Sequence, residues 1–422
     1  MSLDRCSGSR ILQKGYTRTS WAVQLFFLRY SMSNVTRRRA ITLITGTVTL
    51  GLAGCGGSSS SSEAGVATAS ALPGAQIPPE ELGSEGDAIF GSSYLGVTRV
   101  RNMNFGGEYM RAAFGHGAFA VRDNYLWLAG HEYGNGVGKF GPLAFEDTEL
   151  QDAPLADNVM PYVQIEPRGN SVSWPIMGLY DDGGRVFVLT QEYYDADANN
   201  TKDLAILHYD GSVDKFYSTK GHARSAGWMQ EIPFVWQQSL GGTHLLGSSK
   251  NTPINHRHSI GPSLYAMDGS PTGAATAKPL MLFSLENPMG SYDRQEVGDP
   301  VFNELSRVWT GFIWGDDYIC IGRTGGLKSG IAYKVRGSGF DALEADDYYN
   351  YYWRFRLQDI LDAPNIFDPR PYEYGELELG FGVRGAYFDD REGILYLCSY
   401  MDTSQGGPEK SPAIFAYRFP KA

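Results

Sequence analysis

The feature that most narrows the folds open to this chain is one hairpin, written five times. HGAFAVRDNYLWLAGHEYG begins at His116, PIMGLYDDGGRVFVLTQEYYD at Pro175, SLGGTHLLGSSKN at Ser239, TGFIWGDDYICIGRTGG at Thr310 and RGAYFDDREGILYLCSYMD at Arg384. Each copy is a small-residue or Gly-bearing strand, a turn carrying Asp, Asn or Gly, and a second apolar strand. Such turns between alternating β-branched and aromatic runs mark β-hairpins. Third strands follow as DLAILHYDG, GPSLYAMDG, GIAYKVRG and PAIFAYRFP, with GKFGPLAFE in the first copy. The copies start at intervals of roughly 58 to 74 residues, above the periods of most named propeller repeats.

An antiparallel sheet with one apolar face needs a neighbour, and five such sheets bury their faces best by closing into a ring. The expected fold is therefore all-β, a five-bladed β-propeller over residues 86–422. Glycines in the inner strands agree, because strands crowded around an axis leave little room for side chains. Val97 to Asn104 is placed to close the ring on the last blade. The alternative is six blades, with residues 86 to 115 as one more unit.

The chain ahead of the repeats reads as an address. Residues 1–31 do not look like folded protein, and Met32 sits just before a normal charged start. Arg37-Arg38-Arg39, an apolar run from Ala40 to Ala53 and then Gly54-Cys55 form a secretory signal over residues 32–54. The run is shorter than the about 20 apolar residues needed to cross a bilayer. Thr36-Arg37-Arg38 resembles a twin-arginine signal, with Ala40 where an aromatic residue is usual; Leu52-Ala53-Gly54-Cys55 resembles a bacterial lipobox, whose cysteine takes a lipid. Residues 55–85 then form a Gly/Ser/Ala/Pro tether, with serine from Ser58 to Ser62, too polar to bury a core. The expected location is the cell envelope, held to the lipid bilayer through Cys55 and facing away from the cytoplasm. Gly56, not Asp, favours the outer membrane where there is one.

The 54 residues before Cys55 hold eight of the 36 Lys/Arg and one of the 47 Asp/Glu, which leaves a net charge of −18 beyond them. That balance argues against nucleic acid as a partner and against electrostatic docking on anionic lipid. Cys320 and Cys398 fall inside apolar strands at similar places in consecutive repeats. An oxidising compartment permits a bridge, but separate buried thiols are the favoured reading. No cysteine or histidine spacing marks a zinc site, and no nucleophile elbow, P-loop or dinucleotide fingerprint stands at a strand-to-helix junction.

In a propeller the lead-ins to the inner strands and the loops leaving the second strands share one face. On that rule one wall gathers Glu108, Arg111 and His116, Trp174, Trp228 to Gln238 (with Gln230, Glu231 and Trp236), Arg307 and Trp309, and Arg384. The other gathers His131 and Glu132, Glu192 to Asp197 (with Tyr193), Asn251 to His258 (with His256, Arg257 and His258), Arg323 and Met401 to Gln405. A concave surface rich in Trp, Arg, His and carboxylates is the default ligand site of such a fold. Against this stands the plainer role of each aromatic as a wedge between blades and each arginine as a tie to loop carbonyls. No metal or other cofactor is expected. The ligands the spacing does offer are for calcium, at Asp195, Asp197 and Asn199; they depart from a calcium loop at Asn200, where Gly belongs, and at Ile206, where a carboxylate belongs.

YYDAD at Tyr193 to Asp197, IPxxWQxxLGG from Ile232 to Gly242, the Gly261-Pro262 step, IGRTGG from Ile321 and the aromatic segment Tyr348 to Leu357 followed by Pro371-Tyr372 carry a resemblance from about Tyr94 onward. They resemble a family of secreted bacterial propeller-like proteins without an assigned activity, which implies fold and location and leaves the chemistry open. The first functional reading is a lipoprotein that binds an extracellular ligand, glycan or peptide, in a funnel on the shared face. A glycoside hydrolase using two of Glu108, Glu132, Glu192 and Glu231 is the alternative, since that chemistry needs two facing carboxylates. A scaffold for an envelope protein partner is the third.

Overall fold

The computed structural model describes residues 75–76, 89–107, 109–165, 175–192, 203–214, 217–219, 225–249, 260–268, 276–291, 297–335, 339–401 and 411–420. Five antiparallel sheets follow one another along the chain. Blade one holds Phe119–Arg122, Tyr125–Ala129, Gly136–Phe140 and Asn158–Gln164; blade two holds Ile176–Asp181, Arg185–Thr190 and Leu204–His208. Blade three holds Trp228–Glu231, His244–Gly247, Leu264–Met267 and Lys278–Met281. Blade four holds Arg307–Trp314, Asp317–Gly325, Tyr348–Arg356 and Glu373–Glu376. Blade five holds Gly385–Asp389, Ile394–Met401 and Ser411–Arg418.

The first strand of each blade packs on the first strand of the next, and that of blade five on that of blade one. The ring is closed: this is a five-bladed β-propeller. Its closure is non-local. Ser93–Val100 becomes the outer strand of blade five, antiparallel to Ser411–Arg418 from Ser93 opposite Arg418 to Arg99 opposite Ala413. Of residues 86 to 115, Ser93–Val100 thus belongs to blade five, and the described ones form no sixth blade. Ala75–Gln76, inside the segment read as a tether, pairs in parallel with Glu373 and Tyr374.

Four of the five hairpins fall where the turn residues put them. In blade one, Asp123 and Asn124 take φ of 50° and 62°, the left-handed pair of a two-residue hairpin turn. Blade three differs. Its inner strand is Trp228–Glu231, with Trp228 opposite Gly247 and Glu231 opposite His244. The helix Phe234–Leu240 is inserted into the hairpin and ends on Gly241 at φ 76°. A helix in the turn separates the two strands, so the Gly-Gly beyond it passes for the hairpin itself. Blade four differs at its third strand. Ile331–Tyr333 pairs with Phe340–Ala342 as a small inserted hairpin, and the third strand is Tyr348–Arg356, opposite the whole of Asp317–Gly325.

Each blade boundary is filled by aromatic or long polar side chains. Trp127 of blade one donates its indole N–H to the Asp181 carboxylate of blade two at 2.9 Å, and the Tyr209 hydroxyl donates to the same carboxylate at 2.6 Å. The Tyr180 and His244 rings meet edge-on at 5.2 Å between blades two and three. Trp228 lies 6.2 Å from Tyr318 between blades three and four, and Phe312 stacks on Phe388 at 4.1 Å between four and five. Phe119 and Tyr387 close the last boundary at 6.2 Å. Offset and edge-on aromatic pairs add about 0.5–1.5 kcal/mol each beyond the area they bury. Cys320 and Cys398 are separate, fully buried free thiols, both pushed up to about 12 by burial.

His244 makes one of these boundaries sensitive to pH. Burial is the main cause that pulls its imidazole from 6.5 down to about 4, against the attraction of Asp182. A folded state that holds histidine neutral loses stability as pH falls from about 6.5 toward 4, because only the unfolded chain takes up the proton there. Asp390 acts in the opposite sense, since burial, Glu231 and Asp389 push its carboxyl up to about 6. The expected result is therefore a difference: between pH 6.5 and 4, His244→Gln loses less stability than the parent, by about 1–3 kcal/mol. Urea melts at half-unit pH steps measure it; parallel curves for the two proteins would show that His244 does not titrate with folding.

Candidate functional site

The axis itself is packed. Residues of all five inner strands, among them Met177, Trp228 and Trp309, enclose a cavity of only about 10 Å³, room for roughly one water. Two inner strands carry β-bulges that set side chains against this axis. Ile176 and Gly178 pair with consecutive residues, as do Val308 and Thr310, leaving Met177 and Trp309 as the extra residues.

Open volume lies off the axis. On the lead-in face, a cleft of about 750 Å³ sits where the second-to-third strand connection of blade four meets the crossover into blade five. Tyr348, Tyr349, Glu376, Phe381, Arg323 and Arg384 are among its lining residues. The crossover wall is held by Asn350, whose side chain donates to the Phe381 carbonyl at 2.8 Å and accepts from the Val383 N–H at 2.8 Å. Ser399 donates to the Gly382 carbonyl at 2.8 Å, and Phe381 stacks on Phe415 at 3.8 Å. The inserted hairpin forms the opposite side, tied to the third strand by the Ala342 N–H donating to the Tyr348 hydroxyl at 3.1 Å.

Arg323 is the most heavily constrained charge in the cleft. Its guanidinium lies over the Trp309 ring at 5.7 Å and the Tyr348 ring at 5.6 Å. Burial, then the cations Arg307 and Arg384, pull its pKa down to about 9. Arg307 donates to the carbonyls of Glu304 at 3.0 Å and Ser306 at 2.7 Å. Glu376 lines the same cleft, and burial followed by Glu378 raises its carboxyl.

The residues picked from sequence divide into groups. Arg323 and Arg384 meet in the cleft, with Arg307 and Trp309 beside them on the axis side. Arg111, His116, His131 and Glu132 lie at the lead-in of blade one and are not among the residues that line that cleft. There Arg111 lies over Phe114 at 5.9 Å and His116 faces Glu132 at 3.7 Å. His131 is buried among Tyr109, Phe114 and Tyr133, and its Nδ1 accepts from the Tyr133 N–H. Glu192 is half-buried just beyond the second strand of blade two.

Four assignments in blade three are corrected. Trp228 is 3% exposed, a wedge between blades and not a funnel wall, and Gln230 is buried with its amide donating to Thr310 at 3.3 Å. Glu231 ends the inner strand on the opposite face, where it acts on Asp390. Trp236 sits on the inserted helix, on that same opposite face, and donates to the Gly315 carbonyl in the hairpin turn of blade four. Reading the inner strand one element too late carried all four to the wrong place.

Cys55 and the signal, Glu108, Trp174, Tyr193, the calcium-like Asp195, Asp197 and Asn199, and His256, Arg257 and His258 lie outside the described residues. Among the described residues, no group of three or more His, Cys, Asp or Glu is arranged to hold a metal ion. Sequence reasoning missed Tyr348, Tyr349, Asn350, Glu376 and Phe381. Their signal was the dense aromatic run from Tyr348, which had no place while GIAYKVRG was taken as the third strand.

Neither a protein-family profile nor a curated protein sequence matches the chain. Solved structures do. A GH43 endo-arabinanase from Bacillus licheniformis is 12% identical with a TM-score of 0.36, over 74% of this chain and 95% of its own. An exo-1,5-α-L-arabinanase from a bovine ruminal metagenomic library is 11% identical with a TM-score of 0.36, over 74% and 94%. The phage phi92 endosialidase is 9% identical with a TM-score of 0.36, over 78% and 70%.

Proposed function

We propose that this chain is an exported, lipid-anchored envelope protein whose propeller binds an extracellular ligand, glycan or peptide, on its lead-in face. The observation that carries the binding half is the cleft between blades four and five. Its about 750 Å³ falls within the 300–1,000 Å³ or so of small-ligand sites, and aromatic rings and hydrogen-bonding groups converge on it. Rings at such a wall give a sugar or a peptide side chain flat apolar area, while Asn350 keeps the wall rigid before the ligand arrives.

A thermal-shift screen of the soluble domain against envelope and plant glycans and against peptides tests this reading. At least one class is expected to raise Tm, and Tyr349→Ala is expected to weaken that ligand about ten-fold while the free protein still melts cooperatively. Silence across both classes, with envelope proteins retained on the immobilised domain, moves the function to the scaffold reading.

The anchor is supported by the signal and lipobox sequence alone. In a bacterial host, Cys55→Ser is expected to abolish incorporation of a clickable fatty acid and release the protein from the membrane fraction. Labelling that survives the substitution would end the lipoprotein reading.

A hydrolase remains the second reading because of one carboxyl group. Glu376 is raised by burial inside the cleft, as a general acid requires, and Asp341 lines the same cleft. Release of reducing ends from a ligand found in the screen, lost in Glu376→Gln, would establish it; intact ligand after prolonged incubation would exclude it.

A further inference from the structure

Arg307 and Arg323 stand directly opposite each other in the register of blade four, and Arg384 leads into the next inner strand beside them. Like charges in register cost a sheet stability. Arg323 and Arg384 form no ion pair among the described residues. This concentration of positive charge sits in a chain whose net charge is −18 beyond the lipobox.

The unmatched hydrogen-bonding groups point the same way. The Arg323 Nε–H and the Trp309 indole N–H are buried with no acceptor among the described residues. Both are donors, and a buried donor without an acceptor is costly. Trp309, the extra residue of the bulge, and Tyr348 both bring their rings close to the Arg323 guanidinium, at 5.7 and 5.6 Å. Desolvation and the two neighbouring guanidiniums draw the Arg323 pKa down, and Asp341 in the same cleft offsets them only in part, which leaves room for a bound anion.

We propose that Arg323 and Arg384, with the charge of Arg307 beside them, form a subsite for a carboxylate carried by a glycan lying in the adjoining cleft. This rests on the binding reading above and names its ligand class. A planar guanidinium fork matches the two oxygens of a carboxylate. The cleft is far larger than a free anion, so the charge belongs to a larger molecule whose neutral part the tyrosines receive.

A glycan array of uronate-, sialate- and sulfate-bearing and neutral oligosaccharides, probed with the full folded domain, is the first step. The expected result is capture of carboxylate-bearing glycans. Calorimetric titration then compares the best of them with its methyl ester, which is expected to bind at least ten-fold more weakly. Arg323→Met should lose a similar factor while its Tm is unchanged or higher, because removing a like charge relieves the sheet. The exposed Arg384→Gln serves if Arg323→Met does not fold. Equal binding of acid and ester, unaffected by either substitution, overturns the subsite and leaves the cleft as a binding site. Capture of sulfated glycans alone overturns the carboxylate assignment. Silence across the array overturns the subsite, and the wider reading then depends on the peptide arm of the thermal-shift screen.

Discussion

Gly385→Ala is expected to cost about 3 kcal/mol or more and to lower Tm by roughly 6 °C or more, since a large domain moves about 2–4 °C per kcal/mol. Gly385 opens the inner strand of blade five, and a Cβ there would come within 1.8 Å of the Gly117 carbonyl oxygen. Gly117 is its counterpart at the lead-in of blade one: φ is +81°, and a Cβ would meet the Arg384 carbonyl at 1.9 Å. The obstacle on both sides is backbone, which has no rotamer to move into. The two segments form the seam where the ring closes, so displacing one opens blade five from blade one. Gly339→Ala is the control, with nothing within 4 Å of the added atom, and should stay within about 0.5 kcal/mol. Differential scanning fluorimetry reads both; a Gly385→Ala melt within 1 °C of the parent would show that the seam is not this tight.

Asp317→Ala is expected to lose about 2–4 kcal/mol. Asp317 is 5% exposed at the start of the second strand of blade four. Its carboxylate accepts from Arg354, from Arg356 at 3.0 Å and from the Tyr372 hydroxyl at 2.7 Å. It thus joins the second strand, the third strand and the connection to the fourth. Removing one member of a buried ion cluster leaves the other charges without their partner, which costs about 3–5 kcal/mol in dry surroundings. Here the loss is smaller, because Arg354 also pairs with Glu373 at 3.0 Å and Arg356 is half exposed. The loss is expected to shrink in an Arg354→Met background, and a double-mutant cycle with those two changes measures the coupling. Additive costs would mean that the cluster is not acting as a unit.

Period-2 alternation and Asp/Asn/Gly turns made four of the five hairpins legible, because those signals are local: the turn residues and the strands they join are neighbours in sequence. Blade three was misread where a local signal was interrupted. Seven helical residues between Glu231 and His244 hid the partnership of Trp228–Glu231 with His244–Gly247. An inserted hairpin did the same to the third strand of blade four. The cost to the site was direct. Trp228 and Gln230 became core, Glu231 and Trp236 moved to the opposite face, and the aromatic strand that lines the cleft was left without a role.

Sequence by itself determined that repeated hairpins with one apolar face must close into a ring, and favoured five members over six. It also marked Arg307, Trp309, Arg323 and Arg384 as residues of one face. Only the tertiary structure decided that the ring has five members and not six, that the axis is packed and, among the described residues, that a large cleft lies between blades four and five. The same holds for the approach of Arg307, Arg323 and Arg384 to one another. Distance is the physical reason. Arg307 faces Arg323 across one strand pair, but Arg384 reaches them because the inner strand of blade five packs on that of blade four, and no local pattern records an approach between blades.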